Sequence, residues 1–261
     1  MHLISIKTLI RSYLPSLNLV HEPFENQEYL SLWKKHQIEM NDSVHAKNLS
    51  KATVEWIDNL ALKTSVSVKK STPNWVHGYL IYSVIQQFCQ NSSKEQVTYF
   101  ETGTAKGFSA LVAVKAIIDC NKIPVVVTID ILNDNKKRYW NAIGDIHGLR
   151  TRAELLLSYE SFLPYITFLK LRSQQLKSLK FANIIDVGFI DGAHNYKLVK
   201  KDFDFMRKYL DTKSQIIFDD VDSRKFPGIV KLIEKLKFTH QIDHIDSISG
   251  SRGYAILKNS D

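Results

Sequence analysis

The chain has 261 residues, 44% of them hydrophobic, with 35 Lys+Arg against 27 Asp+Glu, a formal charge of +8. That composition excludes a disordered, collagenous or disulfide-scaffolded protein and leaves room for one large α/β domain with an appendage. Two cysteines, Cys89 and Cys120, stand far apart with no Cys/His cluster around them, so no structural zinc site is expected and a reducing cytoplasm is the simplest home. The first twenty residues are apolar but interrupted by Lys7 and Arg11, which breaks up a secretory h-region, and no run is long enough for a membrane span. The basic excess invites a nucleic-acid partner, but its densest run, Lys197 to Lys201, alternates with apolar residues at helical spacing. A solvated helix face is expected, with no nucleic-acid partner.

Residues 1–95 predict a helical cap ending in the polar break Asn91-Ser92-Ser93-Lys94. Apolar residues recur at three and four spacing in LSKATVEWIDNLALKTS and in NWVHGYLIYSVIQQFCQ, the second started by Pro73. Trp75, His77 and Tyr79 lie there; that spacing suits core packing, with an acceptor-pocket lid as the alternative. From residue 96 to 261 short apolar runs alternate with helical stretches. They are 97–101, 124–130, 166–171, 183–191 and 214–220, with helices after most of them, including one near 135–158. Two closing runs, near 240–247 and 253–257, flank the turn-rich stretch 249–253. Fully apolar strands between helices predict an α/β fold, a doubly wound and mostly parallel sheet with an antiparallel edge.

Three places at the C-terminal ends of predicted strands carry chemistry, at the edge where open parallel sheets bind ligands. Glu101-Thr102-Gly103-Thr104-Ala105-Lys106-Gly107-Phe108-Ser109 turns the first strand into a helix, and Gly103 and Gly107 let backbone pass close to a ligand. The spacing is neither a dinucleotide fingerprint nor a P-loop, which favours a cofactor without a pyrophosphate. Asp130 ends the second strand, placed to accept from ribose hydroxyls or to cap a helix. Asp191, in IDGAHNY, and Asp219-Asp220, in FDDVD, end adjacent strands about 4.8 Å apart. Three convergent carboxylates repel unless a cation sits among them, and their hard oxygens suit Mg²⁺ or Mn²⁺; helix capping and plain solvation are the alternative.

On these motifs, residues 97–257 resemble the class I S-adenosylmethionine (SAM)-dependent methyltransferases, and within them the metal-dependent macrocin-type sugar O-methyltransferases. The resemblance implies a Rossmann-like seven-stranded sheet behind an N-terminal helical cap that chooses the acceptor. It implies that Gly103 and Gly107 line SAM, that Glu101 and Ser109 border its amino-acid end, that Asp130 holds its ribose, and that Asp191, Asp219 and Asp220 hold Mg²⁺. Many relatives carry a second acid where this chain has Ala193, so the base it implies here is His194, with a surface loop histidine as the plain alternative. The implied acceptor is a small hydroxylated molecule of the sugar type; a homo-oligomer is left open. No Asn/Asp-Pro-Pro-aromatic segment follows the fourth strand, which argues against base methylation. A cephalosporin hydroxylase-like enzyme and a non-catalytic accessory subunit of polysaccharide assembly remain as alternatives.

Overall fold

A computed structural model describes residues 23–69, 71–222, 224–246 and 253–259. The apolar stretch before residue 23 and the turn at 249–252 lie outside the described residues. Helices come first: α1 (Asn26–Asn41), α2 (Val44–Lys47), α3 (Lys51–Thr64) and α4 (Val76–Gln90). Then follow β1 (Gln96–Thr102), α5 (Phe108–Asp119), β2 (Ile123–Asp130), the short α6 (Arg152–Leu155), β3 (Ile166–Lys170) and β4 (Val187–Ile190). The chain closes with α7 (Tyr196–Met206), β5 (Gln215–Phe218), α8 (Pro227–Leu236), β6 (Gln241–Asp246) and β7 (Gly253–Lys258). Among the described residues no helix is long and apolar enough to cross a membrane.

The seven strands form one sheet in the order β3-β2-β1-β4-β5-β7-β6. The pairs from β3 to β5 are parallel, and β7 runs antiparallel to both β5 and β6. Alternation along each strand sends successive side chains to opposite faces. Val97 and Tyr99 of β1, with Phe189 of β4 and Ile217 of β5, pack into a core shared with α3, α4 and α5. Phe100, Ile190, Ile216 and Phe218 pack on the other face against α7 and α8. Covered on both faces, these strands read as unbroken apolar runs, and the observed sheet is the mostly parallel, doubly wound sheet expected.

The helical layer has its own polar tie. Asp58, 1% exposed, accepts from Trp75 Nε1 at 2.8 Å, from Gln37 Nε2 at 2.9 Å and from the Tyr79 hydroxyl. Trp75, His77 and Tyr79 are all buried, so core packing accounts for their spacing.

One element departs from expectation. In place of a helix over 135–158, the chain makes a bridge between Arg138 and Arg150, a single tight turn at Asp145–His147 and only the four helical residues of α6. Asn141, Gly144 and Gly148 hold φ of 50°, 86° and 120°, which a right-handed helix does not accommodate.

Candidate active site

The order reverses direction about β1: the chain continues to β2 on one side and reaches β4 on the other, the place where such sheets open a crevice at the strand ends. The β1–α5 turn closes tightly there. Gly103 N–H donates to Ile129 O at 2.9 Å, and Gly107 N–H to Thr104 O at 2.7 Å. Gly103 has φ 101°, and a Cβ on it would overlap the Asp191 carbonyl and stand 2.9 Å from Gly192 N, so only glycine lets β1 and β4 run out this close together. Gly107, at φ 94°, precedes α5 and faces Leu156, where a Cβ would come within 3.1 Å.

Asp130 ends β2 and reaches across to this turn. Its Oδ2 accepts from Ala105 N–H at 2.7 Å and its Oδ1 from Leu132 N–H at 2.9 Å, which fixes the carboxylate plane. Arg152, 2% exposed, donates to Ala105 O at 3.0 Å and lies over the Trp140 and Phe168 rings, so the 131–165 segment is pinned to the same turn. Between these walls lies a cleft of about 310 Å³, lined by Thr102, Gly103, Asp130, Ile131, Ser173 and Gly192 among others. Of the five residues expected around a cofactor, Gly103 and Asp130 line this cleft. Glu101 and Ser109 sit behind it, both buried. Glu101 accepts from Thr128 Oγ1 at 2.6 Å and from Tyr99 OH at 3.0 Å; burial pushes its carboxyl up, and those donors, with Ser109, oppose the push.

The β4 and β5 ends meet as their register requires, with Ile190 beside Phe218. Asp191, His194 and Asp220 each bring a ligand atom within 4.8 Å of the others. His194 Nε2 lies 2.8 Å from Asp220 Oδ2, and its ring stacks on Phe226 at 4.3 Å, which fixes its plane. Asp220 sits at φ 55°, a left-handed conformation that aspartate tolerates better than most residues. Asp219 is placed differently from its neighbours: its Oδ1 accepts from Asp220 N–H at 2.7 Å, so it braces the turn. Past the pair, backbone N–H bonds from Arg224 and Lys225 hold the Asp222 carboxyl below its ordinary range.

Comparison with known proteins reads the same edge. Residues 100–221, from within β1 to just past β5, match the model of a family described as a methyltransferase domain. An uncharacterized protein of Acanthamoeba polyphaga mimivirus is 28% identical over 166 residues, 60% of this chain and 67% of its own. Among solved structures, a Klebsiella pneumoniae protein provisionally assigned as an O-methyltransferase superposes with a TM-score of 0.58 at 13% identity, covering 88% of this chain and 100% of its own. The O-methyltransferase TomG from Streptomyces achromogenes, in complex with SAM, gives 0.55 at 13% identity over 91% and 100%. An O-methyltransferase from Bacillus cereus, in complex with SAH, gives 0.54 at 14% identity over 88% and 99%. At such identities the likeness is one of fold: the seven-stranded, mostly parallel Rossmann-like sheet that these methyltransferase structures share.

Two residues within 100–221 carry no role in the sequence reading. Asp202 of α7 is wholly buried beside Thr102, and desolvation raises its carboxyl to about 6. Its position was signalled by the pattern, since Val199, Phe203 and Met206 make that helix face apolar and an acid among them is anomalous. Lys106, in the β1–α5 turn, donates to Ser67 Oγ at 2.5 Å and to Asn141 O at 2.8 Å. Burial, reinforced by Lys69, pulls its amine down to about 7. Nothing local to residues 101–109 announces those partners.

Proposed function

We propose that the protein is a SAM-dependent O-methyltransferase that works with Mg²⁺ or Mn²⁺ on a hydroxyl of a sugar or polyol-type small molecule. The observation that carries this reading is the convergence of Asp191, His194 and Asp220 beside a cleft whose wall only glycine permits. Cofactor binding draws support from the cleft and from solved relatives that hold SAM or SAH. The donor set fits a hard divalent cation: the carboxylates of Asp191 and Asp220 would hold Mg²⁺ or Mn²⁺, and His194 stands beside them.

When bound, SAM supplies an electrophilic methyl group and the divalent cation supplies positive charge that favours loss of a hydroxyl proton. The chain's residues do the rest. Gly103 lets the cofactor come against the strand ends, Gly107 shapes the turn, and Asp130 accepts from ribose hydroxyls. Glu101 and Ser109 support the amino-acid end from behind. Asp191 and Asp220 hold the cation, with Asp219 bracing Asp220. His194 takes the acceptor proton, and Asp220, 2.8 Å away, stabilises the imidazolium that results. Catalysis is then chiefly the positioning of two reactants. Residues 1–95 act as the acceptor-selecting cap and 96–261 as the cofactor-binding unit. The free cysteines, Cys89 and Cys120, suit work in the cytoplasm.

The test is calorimetric titration with SAM, with and without Mn²⁺, followed by a screen of nucleotide sugars and oligosaccharides for the mass gain of one methyl group. Cofactor binding and a methylated, metal-dependent product are expected. A protein that binds no SAM under either condition overturns the reading in favour of an accessory subunit.

A further inference from the structure

The positive charge of the chain is concentrated. Residues 170–180 and 196–209, 25 positions in all, hold nine Lys and Arg against two Asp, whereas the other 236 hold 26 basic against 25 acidic side chains. The fold puts the two stretches side by side, because the turn Ser173–Ser178 packs along α7. Between them lies a cavity of about 220 Å³ that shares Ser173 and Gln174 with the cleft at the strand ends. Lys177 of that turn, Lys201 of α7 and Lys208 of the turn Arg207–Tyr209 line it. The acid in its wall, Asp204, is already taken: Lys200 Nζ donates to it at 2.5 Å, and Arg207 Nε stands 3.5 Å away. Among the described residues no carboxylate pairs with Lys177, Lys201 or Lys208. Three ammonium groups around one concavity repel one another unless an anion joins them.

We propose that this cavity binds a compact oligophosphate, a di- or triphosphate that is either free or the end of a nucleotide. The inference stands apart from the SAM reading above. Ammonium groups act as point charges, which suits tetrahedral phosphate oxygens approached from several sides, and the wall holds no arginine to fork a carboxylate. The Ser173 hydroxyl and the Gln174 amide can donate beside them. A nucleic-acid strand is a poorer match. Phe205, the aromatic residue of the wall, is 4% exposed and packs against Phe100, Phe181 and Tyr209, so it offers no face on which a base could stack.

The experiment measures Kd for inorganic triphosphate and for ATP by calorimetry on the full chain, without divalent metal and with S-adenosylhomocysteine present to occupy the cleft. Salt is held near 0.1 M, where charges more than about 10 Å away are largely screened. Replacing Lys177, Lys201 and Lys208 together by Gln is expected to weaken triphosphate about tenfold or more. All three are exposed, so the fold is expected to survive their loss. The control replaces Lys34, Lys35 and Lys51 by Gln, which removes the same charge from helices on the opposite face of the sheet, and should change Kd by less than about twofold. Equal affinities for triphosphate and ATP, lost with the cavity lysines, support the free anion; tighter ATP with the same lysine dependence supports the nucleotide. A wild-type protein that binds no triphosphate overturns the inference, as does the same change, or none, in the two triple variants. A single-stranded oligonucleotide held far more tightly than triphosphate through the same lysines would make the occupant a nucleic-acid strand and overturn it too. Failure to bind S-adenosylhomocysteine counts against the cofactor reading alone.

Discussion

On the β1–β2 side of the sheet edge, the contacts that shape the cleft run through the backbone: Gly103 against the Asp191 carbonyl, and Asp130 against two peptide N–H groups. On the β4–β5 side, Asp191, His194 and Asp220 are held near one another by side chains whose charges decide what may sit between them. Geometry on the first side tolerates almost no change of shape. Charge on the second side can be altered at nearly constant shape. Substitutions should therefore separate the two, with binding of the cofactor lost on one side and turnover lost on the other.

The largest effect is expected for His194→Gln. Loss of a general base costs about 10²- to 10⁴-fold in kcat, while Kd for SAM, measured by calorimetry, should change little. A large rise in that Kd would merge the two sides and remove the distinction. Gly103→Ala should do the reverse. Its obstacle is backbone, which cannot rotate aside, and the added strain and overlap amount to about 3 kcal/mol, or roughly hundred-fold in Kd for SAM. Normal SAM affinity in that variant would show that the β1–β4 approach is looser than it looks. Asp220→Asn sharpens the charge side: Mn²⁺ affinity, followed by electron paramagnetic resonance, should fall about ten- to hundred-fold, with SAM binding retained in the absence of metal. Unaltered Mn²⁺ affinity would take Asp220 out of the cation site.

The smallest effect concerns Lys106, which joins the β1–α5 turn to the neighbouring segments. Its folded pKa, about 7, lies below the ordinary lysine value, so between pH 7 and about 10 the unfolded chain binds more protons. Stability should thus rise with pH across that window, and Lys106→Met should flatten the slope. Parallel Tm-versus-pH curves for the two proteins would show that the amine keeps its proton when folded.

Much of the sheet was legible because burial on both faces leaves apolar runs such as Val97–Phe100 and Ile216–Phe218 without polar alternation. The segment 131–165 was not, because its shape depends on positive φ at Asn141 and on side chains that dock elsewhere, and its apolar residues are spaced much as a helix would space them. At the site, Asp191, His194 and Asp220 could be read because strand ends collect them. The different orientation of Asp219 could not, since it turns on one bond to the next residue's N–H. Likewise Glu101 reads as a pocket acid from its place in the motif, but Thr128 and Tyr99 already occupy its oxygens. Partners 35 and 39 residues away, as for Lys106, leave no local pattern at all.

Asn141 carries a consequence for engineering. Its Oδ1 accepts from Val68 N–H at 2.9 Å and from Tyr29 OH at 3.2 Å, its Nδ2 donates to Val68 O at 3.0 Å, and its carbonyl takes Ser67 and Lys106. A chimera that exchanges the helices before β1 between relatives, cut cleanly ahead of the first strand, would sever this junction and leave its polar groups mismatched. The portable unit is discontinuous: residue 141 and its loop must travel with residues 29 and 67–68, although some seventy positions separate the latter from the loop.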